Sequence, residues 1–560
     1  MEKWTERFLY FARNKIYVLL LSLTAAAAYG FMITHHAIGM DDTPYALYFE
    51  EGMSAIVGRW VTYVLNKVVM IGDFVPYLTD FAGVVILMVA VTVWCALLYG
   101  VLGERIPRYG YLFFACIFLS CPLISEVYVY HLHNGIAIGY LCSGISLCFF
   151  LEGMNWGKKS IGCFAGSLVC LWIALGCYES FMMVWLMGVC LILMFKRMCG
   201  ERVNVFASIG AAGAVAFAGM ILRSVMIAAV TVLFHLEALR DRAAQRSVTE
   251  LLSWIFGEGA WADFAMAIKR TYLMYVVFGC AYYPIGIFVL ATAVILIAAL
   301  IVSIRRKDAW IALLAVAAYA AAFSLVVIEG KETYYRCAQF LPVICGLGGL
   351  VFAWGTSLVC EKINPGSIVA AGDIWKKRVA GTCRSLAVVI LSVILWNQCA
   401  DMNRWFYMDW QKYEAAKETM HNVAYELDKG FDTSKPIVFT GVYEIPSHII
   451  QDAFVGYGSE EYATMLKLTN WLDPYLIGKY HKNQGVWVVQ QPMLSVIEWG
   501  KTAFDSNREL INFFEMHGYD LEPCPDMETY EAAVAYSMDL PPFPQEGSIV
   551  DMGDYILVHF

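Results

Sequence analysis

The sequence predicts a polytopic α-helical membrane protein, with about eleven transmembrane helices and a small α/β domain at its C-terminal end. Three observations carry this. Sixty per cent of the 560 residues are hydrophobic and only 16% are charged, and the mean hydropathy of +0.59 is that of a chain that lives in lipid. Apolar runs long enough to span a bilayer recur through the first 400 residues. The charge then divides: residues 1–400 hold 29 Lys+Arg against 23 Asp+Glu, and residues 401–560 hold 10 against 25, so a body of +6 carries a tail of −15. Neither part has the clustered basic face that a nucleic-acid partner needs. Of 17 cysteines only Cys524 lies beyond residue 400, and those in apolar runs, such as Cys142, Cys148, Cys163 and Cys170, read as small buried hydrophobes, not as a disulfide or metal framework.

Taken in order, Lys3, Arg7, Arg13 and Lys15 precede a first span over Ile16 to Thr34. Without a small-residue cleavage motif behind a short core, this span is expected to be retained and not removed as a signal peptide. Further spans are expected near 81–101, 111–127, 136–151, 161–178, 181–195, 203–222, 285–303, 309–328, 337–359 and 381–398. The runs 203–235 and 272–303 exceed one span but are too short for two, so each is expected to be one tilted span with an interfacial extension. After the last span MNRWFYMDW reads as an interfacial stretch. Gln411 to Lys429 then reads as a helix closed by Gly430, and PIVFTG, GVWVVQQ and DYILVHF read as strands of the 401–560 domain.

Orientation follows from Lys and Arg. Arg105 and Arg108; Lys158 and Lys159; Lys196, Arg197 and Arg202; Arg305, Arg306 and Lys307; and Lys376, Lys377 and Arg378 occupy alternate short loops together with the N-terminus. Those loops are expected to be cytoplasmic. The 35–80 loop, the YVYHLHN loop, the CYES turn, the EGKETYYR loop and the tail are then extracytoplasmic.

The stretch from His35 to Trp60 holds the chemistry. Tyr45, Tyr48, Phe49, Gly52, Met53, Ile56, Val57 and Trp60 form one apolar stripe at helical spacing, which suits a helix lying in the membrane interface. Asp41 and Asp42 precede it at the water–lipid boundary. A carboxylate there can act as a general base, and cations on the same side can hold a lipid-linked phosphate: Arg59, Lys331 and Arg336. Bland roles compete: an N-cap in Asp42-Thr43-Pro44, a snorkelling Arg59, and an interfacial anchor in Arg336. His131 and His133, Tyr178 and Glu179 of the CYES turn, and Arg223 inside an apolar run are further candidates to line a substrate site. No metal-ligand spacing occurs, no cofactor is required, and two adjacent carboxylates are compatible with a divalent ion without demanding one.

The order GMDDTPY, GRW, CYES and YYR, set between spans over roughly residues 10–400, resembles the GtrII-type membrane glucosyltransferases, relatives in general architecture of the GT-C class. The resemblance implies transfer of a sugar, typically glucose, from an undecaprenyl-phosphate carrier to a cell-envelope glycan on the outer side of the cytoplasmic membrane. It implies a catalytic base at Asp41 or Asp42. A transporter or flippase for a lipid-linked precursor is the rival reading, but polar groups near the midplane and an internal repeat, both expected of one, are not seen. A non-enzymatic envelope scaffold is the third; neither rival needs a carboxylate at a membrane exit.

Overall fold

The computed structural model describes residues 2–38, 58–65, 67, 75–128, 134–235, 261, 264–265, 267–268, 271, 287–330, 335–363, 373–441, 443 and 507–560. The membrane body comprises α1 (Glu2–Ala12), α2 (Lys15–Thr34), α3 (Trp60–Val64), α4 (Pro76–Leu102), α5 (Arg108–Leu119), α6 (Asn134–Gly153), α7 (Ser160–Cys177), α8 (Phe181–Met198), α9 (Val205–Leu233), α10 (Ile287–Arg306), α11 (Ala309–Ala321), α12 (Leu341–Ile363) and the start of α13 (Asp373–Gly430). Among the described residues nine helices are long and apolar enough to cross a membrane, and the chain is a multi-pass membrane protein. The other two expected spans are interrupted. Pro122 holds Cys121 extended and stops α5, and the chain goes on as a 3-10 turn over Pro122–Ile124. The run after α11 resumes as a separate short helix, Ser324–Glu329.

Run 203–235 is one 29-residue helix, as its length required. Of the run 272–303 only the part from Ile287 onward is described. Helix starts follow local chemistry: Asn14 accepts from the Ile16 and Tyr17 amides and so parts α1 from α2, and Asn204 accepts from Ala207 at the start of α9. Asp308 caps α11 through Trp310 N–H and also takes a 2.7 Å hydrogen bond from Arg197 Nε at the end of α8.

The body's core is aromatic, and its polar tips are paired inside it. The hydroxyls of Tyr29, Tyr111 and Tyr128 donate to the carbonyls of Leu119, Gly103 and Gly83 at 2.7, 2.7 and 3.1 Å. Trp94 Nε1 donates to Tyr140 O, and Trp185 Nε1 to Ser146 Oγ, which lies 2.9 Å from Ser167 Oγ. Each bond joins different helices where hydrocarbon would offer no partner.

α13 runs unbroken for 58 residues from the last span into the tail. Between Gly381 and Gly430 it contains neither Gly nor Pro, so nothing interrupts it where a separate interfacial stretch was expected at MNRWFYMDW. Met402, Trp405, Phe406 and Met408 of that stretch are buried in the membrane core, whereas Ala416, Met420, Val423, Ala424 and Leu427 build a second core. The tail's other elements are β1 (Ile437–Thr440), α14 (Asn507–Met516), α15 (Met527–Ser537), β2 (Ile549–Asp551) and β3 (Ile556–His559). The sheet has the order β1-β3-β2, with β1 and β3 parallel and β2 antiparallel. Ile437, Phe439, Ile556 and Val558 face α13 and α14, while Val438 and Leu557 face Ala533 of α15, the alternation a strand imposes. GVWVVQQ lies outside the described residues.

Asp308 combines a cap with an ion pair, worth together about 1–2 kcal/mol. Thermal unfolding in detergent is expected to rank wild type above Asp308→Asn, which keeps the cap, and that above Asp308→Ala. Equal melting temperatures would remove the role.

Candidate functional site

Four separate segments converge at the ends of α7, α8 and α12. The first is Gly58 and Arg59 before α3. Trp60 anchors it, tilted against Trp172 at 4.9 Å and seated where Gly176 has no Cβ, since one there would strike the indole. Gly58 itself has φ +91°, a conformation L side chains rarely adopt, and a Cβ on it would run into the Arg223 guanidinium.

The second segment is the CYES turn. The Arg59 guanidinium lies over the Tyr178 ring at 4.1 Å, a cation–π contact made strong by burial, because Tyr178 is 5% exposed. Glu179 Oε2 is 3.4 Å from Arg223 Nη2, with both side chains largely buried. Arg223, the third contributor, also donates from Nε to Leu175 O at 3.3 Å. An arginine in an apolar run is thus held by a carboxylate and a helix-end carbonyl, which is what its cost in lipid demands.

The fourth segment is the 3-10 turn Tyr335–Cys337 carrying Arg336. Gln339, fully buried, donates from Nε2 to Arg336 O at 2.6 Å, and the Tyr140 hydroxyl reaches Gln339 O and Oε1 at 2.6 and 2.8 Å. Cys337 Sγ is 3.7 Å from the Tyr178 hydroxyl. The turn is therefore fixed from two sides. Burial works against the charge on Arg59, yet Tyr178 and Glu179 outweigh it and raise its pKa, with Arg336 near enough to oppose them. Arg59 Nε is buried and has no hydrogen-bond partner among the described residues.

Five residues singled out from sequence, Arg59, Tyr178, Glu179, Arg223 and Arg336, thus form one cluster although they span 278 positions of the chain. Asp41, Asp42, His131, His133 and Lys331 lie outside the described residues. Among the described residues no three His, Cys, Asp or Glu side chains converge as metal ligands. Sequence reasoning passed over two things. Gln339 gave no signal, because an amide at the head of a span is compositionally unremarkable. Asp80 was lost at the boundary of a span taken to begin at 81; it is 1% exposed, and its Oδ2 is 3.3 Å from His36 Nδ1. Its signal was an acidic residue five positions inside a helix opened by Pro76.

Gly58→Ala is expected to cost about 1–2 kcal/mol from the backbone alone, and more from displacing Arg223. In a double-mutant cycle with Arg223→Ala, thermal unfolding should show the two losses to be less than additive. Strict additivity would mean that the guanidinium does not pack on Gly58.

The family model described as Glucosyl transferase GtrII matches residues 30–353, the region that holds every member of the cluster. Among solved structures, the chain is similar to the crystal structure of ArnT from Cupriavidus metallidurans bound to undecaprenyl phosphate, at 13% identity and a TM-score of 0.30, over 83% of this chain and 90% of that one. No curated protein sequence matches it. With more than half of its length covered by the family model, the chain belongs to the GtrII glucosyltransferase family, a family of membrane glycosyltransferases.

Proposed function

We propose that the protein transfers a sugar, glucose in the first instance, from an undecaprenyl-phosphate carrier to a cell-envelope glycan on the outer side of the cytoplasmic membrane, with inversion at the anomeric carbon. The observation that carries this reading is the arginine cluster at the ends of α7, α8 and α12. Arg59 and Arg336 repel each other, and Arg59 keeps a buried N–H without a partner among the described residues. Such a donor costs about 1–3 kcal/mol unless an acceptor fills it. A phosphate oxygen is the acceptor that two guanidinium groups suit best.

In this mechanism the isoprenoid chain lies among the spans and the donor phosphate rests against Arg59 and Arg336, with Lys331 in reserve. Asp41 or Asp42 takes the proton of the acceptor hydroxyl as its oxygen attacks the anomeric carbon. The bond from that carbon to the phosphate oxygen breaks with its electron pair, so the leaving polyprenyl phosphate gains one negative charge. The arginines stabilise that gain, which is where they lower the barrier. Glu179 keeps Arg223 in place beside them, and His131 and His133 are assigned to hydrogen bonding with the sugars. Neither a covalent intermediate nor a metal ion is needed, because phosphate with cations about it is already a good leaving group.

Membranes carrying matched amounts of wild type and variants should be given radiolabelled undecaprenyl-phosphate glucose and assayed for label in envelope material. Wild type is expected to transfer label. One of Asp41→Asn and Asp42→Asn should lose roughly 10²–10⁴-fold in rate, and Arg59→Ala and Arg336→Ala should each lose roughly ten- to hundredfold. Absence of transfer by wild type with glucose and with every other carrier-linked sugar tried would overturn the reading.

A further inference from the structure

The 18-residue helix α8 leads away from the CYES turn, so its other end lies about 27 Å from the arginine cluster. Cations gather there too. Arg105, Lys196 and Arg306 all act on Cys199, which closes α8, and Tyr111, packed edge-on against Tyr99, lies by Cys199 as well. Several of these cations are committed: Lys196 pairs with Glu201, Arg197 with Asp308, and Arg105 donates to Leu102 O at 3.4 Å. Two further arginines are held differently. Arg7 of α1 lies over the Trp4 ring at 4.5 Å, and Arg108 of α5 over the Tyr10 ring at 5.7 Å.

Both stand over one turn of α4. Tyr10 stacks on Tyr99 at 5.1 Å and 16°, and a Cβ on the next residue, Gly100, would strike both Arg7 Nη1 and the Trp4 ring. Arg7, Arg108 and Glu104 all act electrostatically on the Tyr99 hydroxyl. A ring face attracts the charge of a guanidinium but accepts none of the hydrogen bonds in its plane. Among the described residues neither Arg7 nor Arg108 donates a hydrogen bond or forms an ion pair, with Glu104 or any other group. A bias of cations toward one side of the membrane accounts for two arginines at this end. It does not account for two that are fixed on rings with their donors left over.

We propose that Arg7 and Arg108 form a binding site for the phosphate of an anionic phospholipid. Two planar forks of N–H donors suit a phosphate, and basic positions between helices at a membrane surface suit a headgroup. The surroundings favour a lipid over a soluble anion. α2 follows α1 after two residues and leaves Ile16, Leu19 and Leu23 more than half exposed, a surface for acyl chains. The bound headgroup bridges α1 and α5, adding to the hold that Trp4 and Phe11 give α1 on the body.

The test uses the full chain purified in neutral detergent, with phosphatidylglycerol and phosphatidylcholine binding read by native mass spectrometry and folding checked by thermal unfolding. Wild type is expected to prefer phosphatidylglycerol by about tenfold or more. Arg7→Gln/Arg108→Gln should cut that preference to within about threefold. Lys3→Gln/Arg13→Gln, which removes as much charge from the same end, should keep it. The site is overturned if wild type shows no preference, or if the two double variants lose it equally, which would make the attraction one of diffuse charge. Two competitors decide the source of the phosphate. Millimolar inorganic phosphate should leave phosphatidylglycerol bound; displacement would make this a site for a soluble anion. Undecaprenyl phosphate should still bind Arg7→Gln/Arg108→Gln, and its loss there would give the site to the carrier lipid instead. Should that double variant fail to fold, Arg108→Gln alone, at an exposed position, decides: a preference that falls less than about threefold overturns the site.

Discussion

Hydrocarbon offers no partner to an N–H or a C=O, and most of this architecture follows from that deficit. The backbone answers with helices, and the core side chains answer by pairing across them, as Tyr29, Tyr111 and Tyr128 do with carbonyls of other segments. Two ion pairs tie helices together. Arg197 with Asp308 closes one end of α8 and α11, and Arg223 with Glu179 lies where α7 gives way to α8.

At the cluster the balance of charge is as telling as the contacts. Bringing Arg59 close to Arg336 is unfavourable in itself, and the fold pays with a ring face at Tyr178 and a carboxylate at Glu179. The turn bearing Arg336 is held through its backbone by Gln339, which Tyr140 holds in turn.

The 58-residue helix α13 joins the two cores into one covalent and mechanical line. A flexible linker would have let the tail move independently, and its usual markers, runs of Gly, Ser or Pro, are absent here. Trp405 and Phe406 sit in the membrane core, Trp410 meets His35, and Ala416 begins the tail's interior, all within four turns.

Hydropathy and charge by themselves determined the membrane class, the positions of the eleven apolar helices among the described residues, the single long helix through Arg223, and the strands at 437–440 and 556–559, because these depend on short-range periodicity and on the cost of placing polar groups in lipid. The candidates Arg59, Tyr178, Glu179, Arg223 and Arg336 were legible one at a time, each as a polar residue at an expensive position. That they meet was decided only in three dimensions, since no local pattern links Gly58 to the Arg223 that lies over it. Three further features needed tertiary structure: the interruption of two spans, the Gln339 amide beneath Arg336, and the pairing of Asp80 with His36. The physical reason is the same in each case. Periodicity reports which face of a helix seeks lipid or core, whereas the partner of a buried polar group is chosen by helices that pack together from distant parts of the chain.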